Sequence, residues 1–311
     1  MKITALAGGV GGAKLAHGFS KLLDSNEFNV IVNTGDDFEH FGLYISPDMD
    51  TVCYTLAELS NSKTGWGREN ESFNVLETIK ELGGPEWFIL GDKDIAYHLE
   101  RTRKIKMGYS LTRTSLELER ALGLKHKIFP MCDEKVSTFV DTVELGEIPF
   151  QEYFVKHKCQ PIVSGFRFNG IGSARITEEA KNSLEQADIV VICPSNPFVS
   201  ISPIISLEGV REILKQKYVI AVSPIIGGAA VKGPLAKMLN ELGWDIHPRS
   251  ILRMYQDFLN CFYIAPEDFD EDIKNNASGI IVKEENIFLP NINSRKKLAF
   301  NIINHMKEIQ H

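Results

Sequence analysis

The chain has 311 residues, 43% hydrophobic and 24% charged, the proportions of an ordinary globular protein rather than a disordered chain, a collagen or a coiled coil. At roughly 150 residues per domain this is one large domain or two small ones. Lys and Arg number 34 against 41 Asp and Glu, and a net charge of −7 excludes bulk attraction to nucleic acid or anionic lipid, leaving room only for a local cationic pocket.

Ile3 to Ala7 is a short apolar run that ends in Gly8-Gly9-Val10-Gly11-Gly12-Ala13-Lys14, after which Leu15, Phe19, Leu22 and Leu23 recur at helical spacing. This pattern predicts strand, glycine turn, helix. Val30 to Val32 reads as a second strand running into Asn33-Thr34-Gly35-Asp36-Asp37. Pro47 to Thr51 opens a helix with Val52, Leu56 and Leu59 on its apolar face and Asp50 as a candidate cap. Asn61 to Asn70 is a polar loop, and Trp87 to Leu90 reads as a buried strand ending at Gly91-Asp92-Lys93-Asp94.

From about residue 95 to 165 the composition changes. Arg101, Arg103, Lys104, Lys106 and Arg113 form a basic cluster, and Leu111 to Leu122 is helical with Ser115 and Glu119 on its polar side. Val136 to Val143 alternates like a strand and pairs in prospect with Ile148 to Val155. Alternation of helices and Ile/Val-rich strands then resumes. Thr177 caps a helix to Gln186, Asp188 to Cys193 is a buried strand ending at Pro194-Ser195-Asn196-Pro197, Tyr218 to Val222 is another ending at Ser223 to Gly228, and Pro234 to Leu242 is a helix. This order predicts an α/β protein whose mostly parallel sheet is covered on both faces.

No apolar run approaches the ~20 residues of a membrane helix, and the N-terminus reads as a first strand rather than a signal peptide. Cys53, Cys132, Cys159, Cys193 and Cys261 are scattered and never form a Cys-x-x-Cys pair. A cytoplasmic protein with reduced thiols and no zinc site is expected.

Three features carry chemistry. The first glycine turn offers backbone N–H groups and a helix N-terminus to a phosphate. It lacks the third glycine of a dinucleotide fingerprint and the Gly-Lys-Ser/Thr of a P-loop, which disfavours hydride transfer and P-loop hydrolysis. Asp36, Asp37, Asp48, Asp50, Asp92 and Asp94 cluster at presumed strand ends, where a carboxylate serves as a Mg²⁺ ligand or orients a substrate hydroxyl. Ser195-Asn196 and Gly227-Gly228, with Lys232 just beyond, stand at two further strand ends facing a prospective ligand crevice. Trp66 between Gly65 and Gly67 is placed to stack on an aromatic ring or to cover an apolar edge.

Seven segments, in one order, resemble the 2-phospho-L-lactate transferases of deazaflavin coenzyme (F-420) biosynthesis. They are Gly8 to Leu15, Asn33 to Asp37, Gly42 to Val52, Gly65 to Arg68, Gly91 to Asp94, Pro194 to Pro197 and Ser223 to Pro234. The resemblance implies transfer of a phospholactyl or phosphoenolpyruvyl group from a guanosine diphosphate-linked donor to the ribityl 5′-hydroxyl of the deazaflavin Fo, releasing GMP. It implies Mg²⁺ and a possible homodimer, while the change in composition marks 95–165 as a smaller, mainly helical insert in a Rossmann-like doubly wound core (1–94 and 166–311).

By the same resemblance Asp50 is the catalytic Fo contact and Lys93 a second one. The family commonly has arginine at that second position, and lysine lacks its planar fork. Trp66, with Phe38 and Tyr44, is the expected wall for the deazaflavin ring. Gly8, Gly9, Gly11, Gly12, Lys14, Asn33, Ser195, Asn196, Gly227 and Gly228 are expected on the nucleotide and its phosphates, and Asp36, Asp37 and Asp50 on the metal. Asp50→Ala is expected to abolish turnover with the fold intact. The competing reading is a nucleotide-sugar-binding regulator of the gluconeogenesis-factor type, which needs no deazaflavin pocket.

Overall fold

A computed structural model describes every residue except Lys232, Ser278 and His311. Seven short apolar segments form the central sheet: β1 (Ile3–Ala7), β2 (Phe28–Val32), β3 (Lys127–Pro130), β4 (Ile189–Ile192), β5 (Tyr218–Val222), β6 (Cys261–Ile264) and β7 (Ile281–Glu284). Their spatial order is β7-β6-β5-β4-β1-β2-β3, and every neighbouring pair is parallel. This is the 3-2-1-4-5-6 order of doubly wound folds with one strand added. The order reverses beside β1, so the carboxyl ends of β1 and β4 flank the topological switch point.

Successive side chains of a strand point to opposite faces, and both faces here are covered. Ile3, Ala5, Ala7, Val30, Val191 and Ile220 pack on one side with Leu15 and Phe19 of α1 (Gly9–Ser20), Val52 and Leu56 of α2 (Pro47–Leu56) and Leu298 and Ile302 of the C-terminal helix Ile292–Gln310. Leu6, Ile31, Val190 and Ala221 pack on the other with Leu184, Ile204, Leu214 and Leu252. None of the described helices is long and apolar enough to cross a membrane.

The stretch 95–165 holds nearly all of α3 (Asp92–Lys106), the whole of α4 (Leu111–Ala121) and, from Ser137, two strands of a small antiparallel sheet. It also holds β3, an edge strand of the central sheet. Ser137–Thr142 is the middle strand of the small sheet. It pairs with Gly146–Pro149, as expected, and with Val163–Asn169, which alternation alone did not mark. The expected hairpin strand ends at Pro149, and Glu152–Lys156 is a helical turn.

Three expectations are corrected. Trp87–Leu90 is irregular rather than a strand, and Ile89 is half exposed. Ser115 and Glu119 are buried because that side of α4 packs on β3; Glu119 Oε2 accepts from the Ile128 N–H at 3.2 Å, and burial pushes its carboxyl up to about 8. Asp50 does not cap α2, whose N-cap residue is Ser46; Asp50 is the fourth residue of that helix.

Candidate active site

The glycine turn closes against β4. Ser195 Oγ accepts from the Gly8 N–H at 3.0 Å and donates to the Gly8 carbonyl at 2.8 Å, tying the two strand ends together. A Cβ at Gly11 would lie on the Pro194 carbonyl, one at Gly12 on Ser195, and one at Gly8 on Asp48 and Ser200. Gly9 sits at φ +61°, the left-handed region that suits glycine. Close strand-to-strand approach and the sharp entry into α1 therefore explain the glycines directly. They also leave the first N–H groups of α1 without carbonyl partners within the helix.

These elements form one wall of a crevice of about 490 Å³ at the carboxyl edge of the sheet, a size typical of small-molecule sites. Gly8, Gly9, Gly11, Lys14, Asp36, Asp48, Asp50, Trp66, Ser195 and Asn196 line it, as the sequence suggested. Gly12 packs behind the turn. Asn33 is buried beneath it: its Nδ2 donates to Asp48 Oδ2 at 3.0 Å and to the Val199 carbonyl at 3.2 Å, so it holds the site rather than facing it. Asn196 lines the crevice and caps the turn after β4 by accepting from the Phe198 N–H at 2.9 Å.

Other expected contacts lie elsewhere. The Gly227 and Gly228 N–H groups donate to the Asp268 carboxylate at 3.0 and 3.3 Å and do not line the crevice. Lys232 falls outside the described residues. Lys93 is exposed, and its Nζ donates to the carbonyls of Glu69 and Asn70 instead of entering the crevice. Asp37 turns away from it and accepts from Ser46 Oγ at 2.7 Å. Asp92 anchors the helix Asn74–Glu81, accepting from Ser72 Oγ and the Val75 N–H. Phe38 packs behind the wall, its ring 4.8 Å from that of Phe88.

The acidic part of the crevice is built by two facing helices. Asp50 and Tyr54 lie one turn apart on α2; Asp94, His98 and Arg101 follow the i, i+4, i+7 spacing of one face of α3. Arg101, one of the basic cluster read from the sequence, is 2% exposed. Its Nη1 donates to Asp50 Oδ2 at 3.1 Å and its Nη2 to Asp50 Oδ1, a bidentate pair that occupies both carboxylate oxygens. Burial works against the Arg101 charge, but Asp50 more than offsets it. His98 Nδ1 lies 3.2 Å from Arg101 Nη1, and burial lowers this imidazole to about 4, so it is neutral at pH 7.

This pair corrects the expectation for Asp50→Ala. Removing Asp50 strands a buried guanidinium, so loss of activity in that variant would be mixed with loss of fold.

The remaining carboxyls are strained electrostatically. Burial raises Asp36, Asp37 and Asp48, and the charge of Asp48 raises Asp36 further. Burial, then the charge of Asp50, pushes Asp94 up to about 7. Asp36 Oδ1, Asp37 Oδ2, Asp94 Oδ1 and the Tyr54 hydroxyl are buried without a hydrogen-bond partner. Among the described residues no three carboxylate, imidazole or thiol groups converge as a metal cage.

The crevice walls are apolar. Trp66, Trp87, Phe88 and Ile89 stand at the Asp94 end; Phe150 and Phe154 stack at 5.5 Å beyond Asn196. Apart from Trp66, sequence reasoning missed these aromatics, along with Tyr54, His98 and Arg101. The i, i+4, i+7 spacing on α3 was the available signal for the helix residues; the aromatics of 87–88 sit in an irregular segment with no periodicity to read.

Comparisons with known proteins agree with this architecture. The family model described as 2-phospho-L-lactate transferase CofD matches residues 3–302. A 2-phospho-L-lactate transferase of Methanosarcina mazei is 38% identical over 293 residues, covering 94% of this chain and 96% of its own. One from Methanocaldococcus jannaschii is 37% identical over 306 residues, covering 97% of each. Among solved structures, a UPF0052 family protein of Bacillus halodurans superposes with a TM-score of 0.63 at 13% identity, over 97% of this chain and 98% of that one, a likeness of fold. With matches that run almost end to end, the chain belongs to the 2-phospho-L-lactate transferase CofD family and is a transferase.

Proposed function

We propose that the protein transfers a phospholactyl or phosphoenolpyruvyl group from a guanosine diphosphate-linked donor to the 5′-hydroxyl of the deazaflavin Fo, releasing GMP. The observation that carries this reading is the layout of one crevice. A glycine turn and helix N-terminus stand at one end with Asp36 and Asp48, Asp94 stands by Gly67 and Trp66, and aromatic rings form the walls. Two ring-bearing substrates joined through phosphate chemistry fit that layout. The diphosphate lies at the start of α1 by the Gly11 amide with Lys14 beside it, the Gly9 N–H being taken by Asp48. The guanine rests against the Phe150–Phe154 pair near Asn196, and the deazaflavin ring against Trp66 and Trp87.

Mg²⁺ fits the same crevice. Four carboxyls (Asp36, Asp48, Asp50 and Asp94) line it, and Lys14 is its one lysine or arginine among the described residues. A diphosphate entering there meets repulsion that a divalent cation removes. Mg²⁺ commonly takes one or two carboxylates and fills its shell with water and substrate phosphate, so no three-carboxylate cage is required. Asp36, with its unpartnered Oδ1, and the neighbouring Asp48 are the residues that would hold it. Asp37 faces away and Asp50 is occupied by Arg101. The cation would neutralise the phosphates; the chain orients the two substrates and excludes water. Asp50, fixed by Arg101, is a rigid charge positioning the acceptor.

Fluorescence titration of Fo with and without GDP and Mg²⁺ tests this. Saturable Fo binding strengthened by GDP is expected. Nucleotide binding without Fo binding would favour the regulatory nucleotide-binding reading.

A further inference from the structure

The acceptor alcohol must lose a proton, and the carboxyls of the crevice differ in their freedom to take it. Both oxygens of Asp50 are held by a guanidinium that is itself buried. Asp48 accepts from Asn33. Asp36 has a free oxygen but sits with Asp48 at the glycine-turn end, where phosphate and cation belong.

Asp94 lies at the other end, beside Gly67 and under the Trp66 wall; an added Gly67 Cβ would stand 3.6 Å from its Oδ2. It lines the crevice together with Tyr54, whose hydroxyl lies close enough to favour the ionised Asp94 carboxyl; beyond each other, Asp94 Oδ1 and the Tyr54 hydroxyl are buried without a hydrogen-bond partner. Buried polar atoms left unsatisfied in a binding crevice mark where a ligand's polar group goes. One acceptor and one amphoteric hydroxyl together suit an alcohol, which donates to a carboxylate and accepts from a phenol.

Resting on the transfer reading above, we propose that Asp94, paired with Tyr54, binds the acceptor hydroxyl and takes its proton during transfer. The acceptor O–H bond breaks and the proton passes to Asp94 Oδ1. The oxygen electron pair forms the new O–P bond, while the P–O bond to the leaving nucleotide breaks with its electron pair on the leaving phosphate. Asp94 is thus a catalytic residue, and Asp50 with Arg101 is a positioning pair.

The charges around Asp94 come from two elements. Asp50 and Tyr54 face it from α2, Arg68 and Glu71 from the 61–73 segment, and Glu71 Oε1 also accepts from its N–H at 3.1 Å. Together with burial they place the carboxyl at about 7, near the optimum for a base at neutral pH.

The test is the pH profile of kcat/KM for wild type, Asp94→Asn, Asp50→Asn and Tyr54→Phe. Wild type is expected to rise with pH to a plateau above about 7, because the base must be ionised. Asp94→Asn is expected to fall about 10²–10⁴-fold in kcat with the rising limb gone and KM for the acceptor little changed. Tyr54→Phe should mainly raise that KM. Asp94→Asn activity within about threefold of wild type with the limb intact, or loss of the limb in Asp50→Asn alone, overturns the proposal. If Asp94→Asn fails to fold, the limb is read in Asp94→Glu, where a shifted limb supports the proposal and an unchanged limb overturns it. A wild type silent toward Fo removes the transfer reading, and this proposal with it.

Discussion

The two ends of the crevice are built in opposite ways. At the glycine end the backbone is tied up within the protein: Ser195 bonds both the N–H and the carbonyl of Gly8, and Asn33 bonds Asp48, Val199 and Gly35, with Asp36 Oδ1 the exception. At the acidic end more is left open. Asp94 and Tyr54 keep buried atoms without partners, and Trp66 is 45% exposed. A saturated wall is a scaffold that holds its shape when empty. An unsatisfied one costs stability until a ligand completes it.

The contrast can be broken at its hinge, Arg101. Arg101→Met removes one partner of a buried pair and leaves Asp50 uncompensated, for an expected loss of about 3–5 kcal/mol. Chemical denaturation measures it; a change below about 1 kcal/mol would mean the pair is solvated and the acidic end is not rigid.

At the scaffold end, Gly11→Ala pushes a methyl onto the Pro194 carbonyl. A cost of about 1–3 kcal/mol is expected, with weaker GDP binding as β1 and β4 separate. Unchanged stability and unchanged GDP affinity would show that the glycine end tolerates opening.

The carboxyls sharpen the comparison through pH. Burial raises Asp48 to about 6 and Asp94 to about 7, above the ~3.9 of a free aspartate. Between those values and about pH 4 each of these two carboxyls is protonated in the folded protein and ionised in the unfolded chain, so the stability it contributes falls as pH rises through that window. The melting temperature of ligand-free protein is expected to be several degrees lower at pH 8 than at about pH 5.5, with Mg²⁺ narrowing the gap. A flat profile would mean that these groups are not desolvated.

The smallest stability effect belongs to Trp66→Ala. A half-exposed ring contributes little to folding, so the melting temperature should stay within about 2 °C while the acceptor KM rises several-fold. A large drop in melting temperature would make Trp66 part of the scaffold.

The same division explains what the sequence revealed. The scaffold end was legible because its constraints are local: a strand, a glycine turn and a helix occupy consecutive residues, and Ile189 to Cys193 is apolar throughout. The acidic end is assembled from α2, α3 and two irregular segments, and its decisive contact joins Asp50 to Arg101, 51 residues apart. Composition grouped Arg101 with Arg103, Lys104 and Lys106 in one basic cluster. Only a reading of the helical face, with Asp94 and His98 in line, separates it from them. The Gly227-Gly228 turn misled for the converse reason: glycine density marked a tight turn, while the anion on its amides is the protein's own Asp268.

The place of β1 in the sheet also has a kinetic consequence. β1 is paired on one side with β2, which follows within 30 residues, but on the other with β4, where Ile3 meets Ile189. During synthesis β1 therefore waits with an open, apolar edge until well over half the chain has emerged. Long-range parallel pairing of this kind is slow and exposes strand edges to aggregation. The crevice, which lies across that seam, is among the last features of the molecule to exist. Chains truncated before residue 189 would carry the glycine turn without ever forming the crevice.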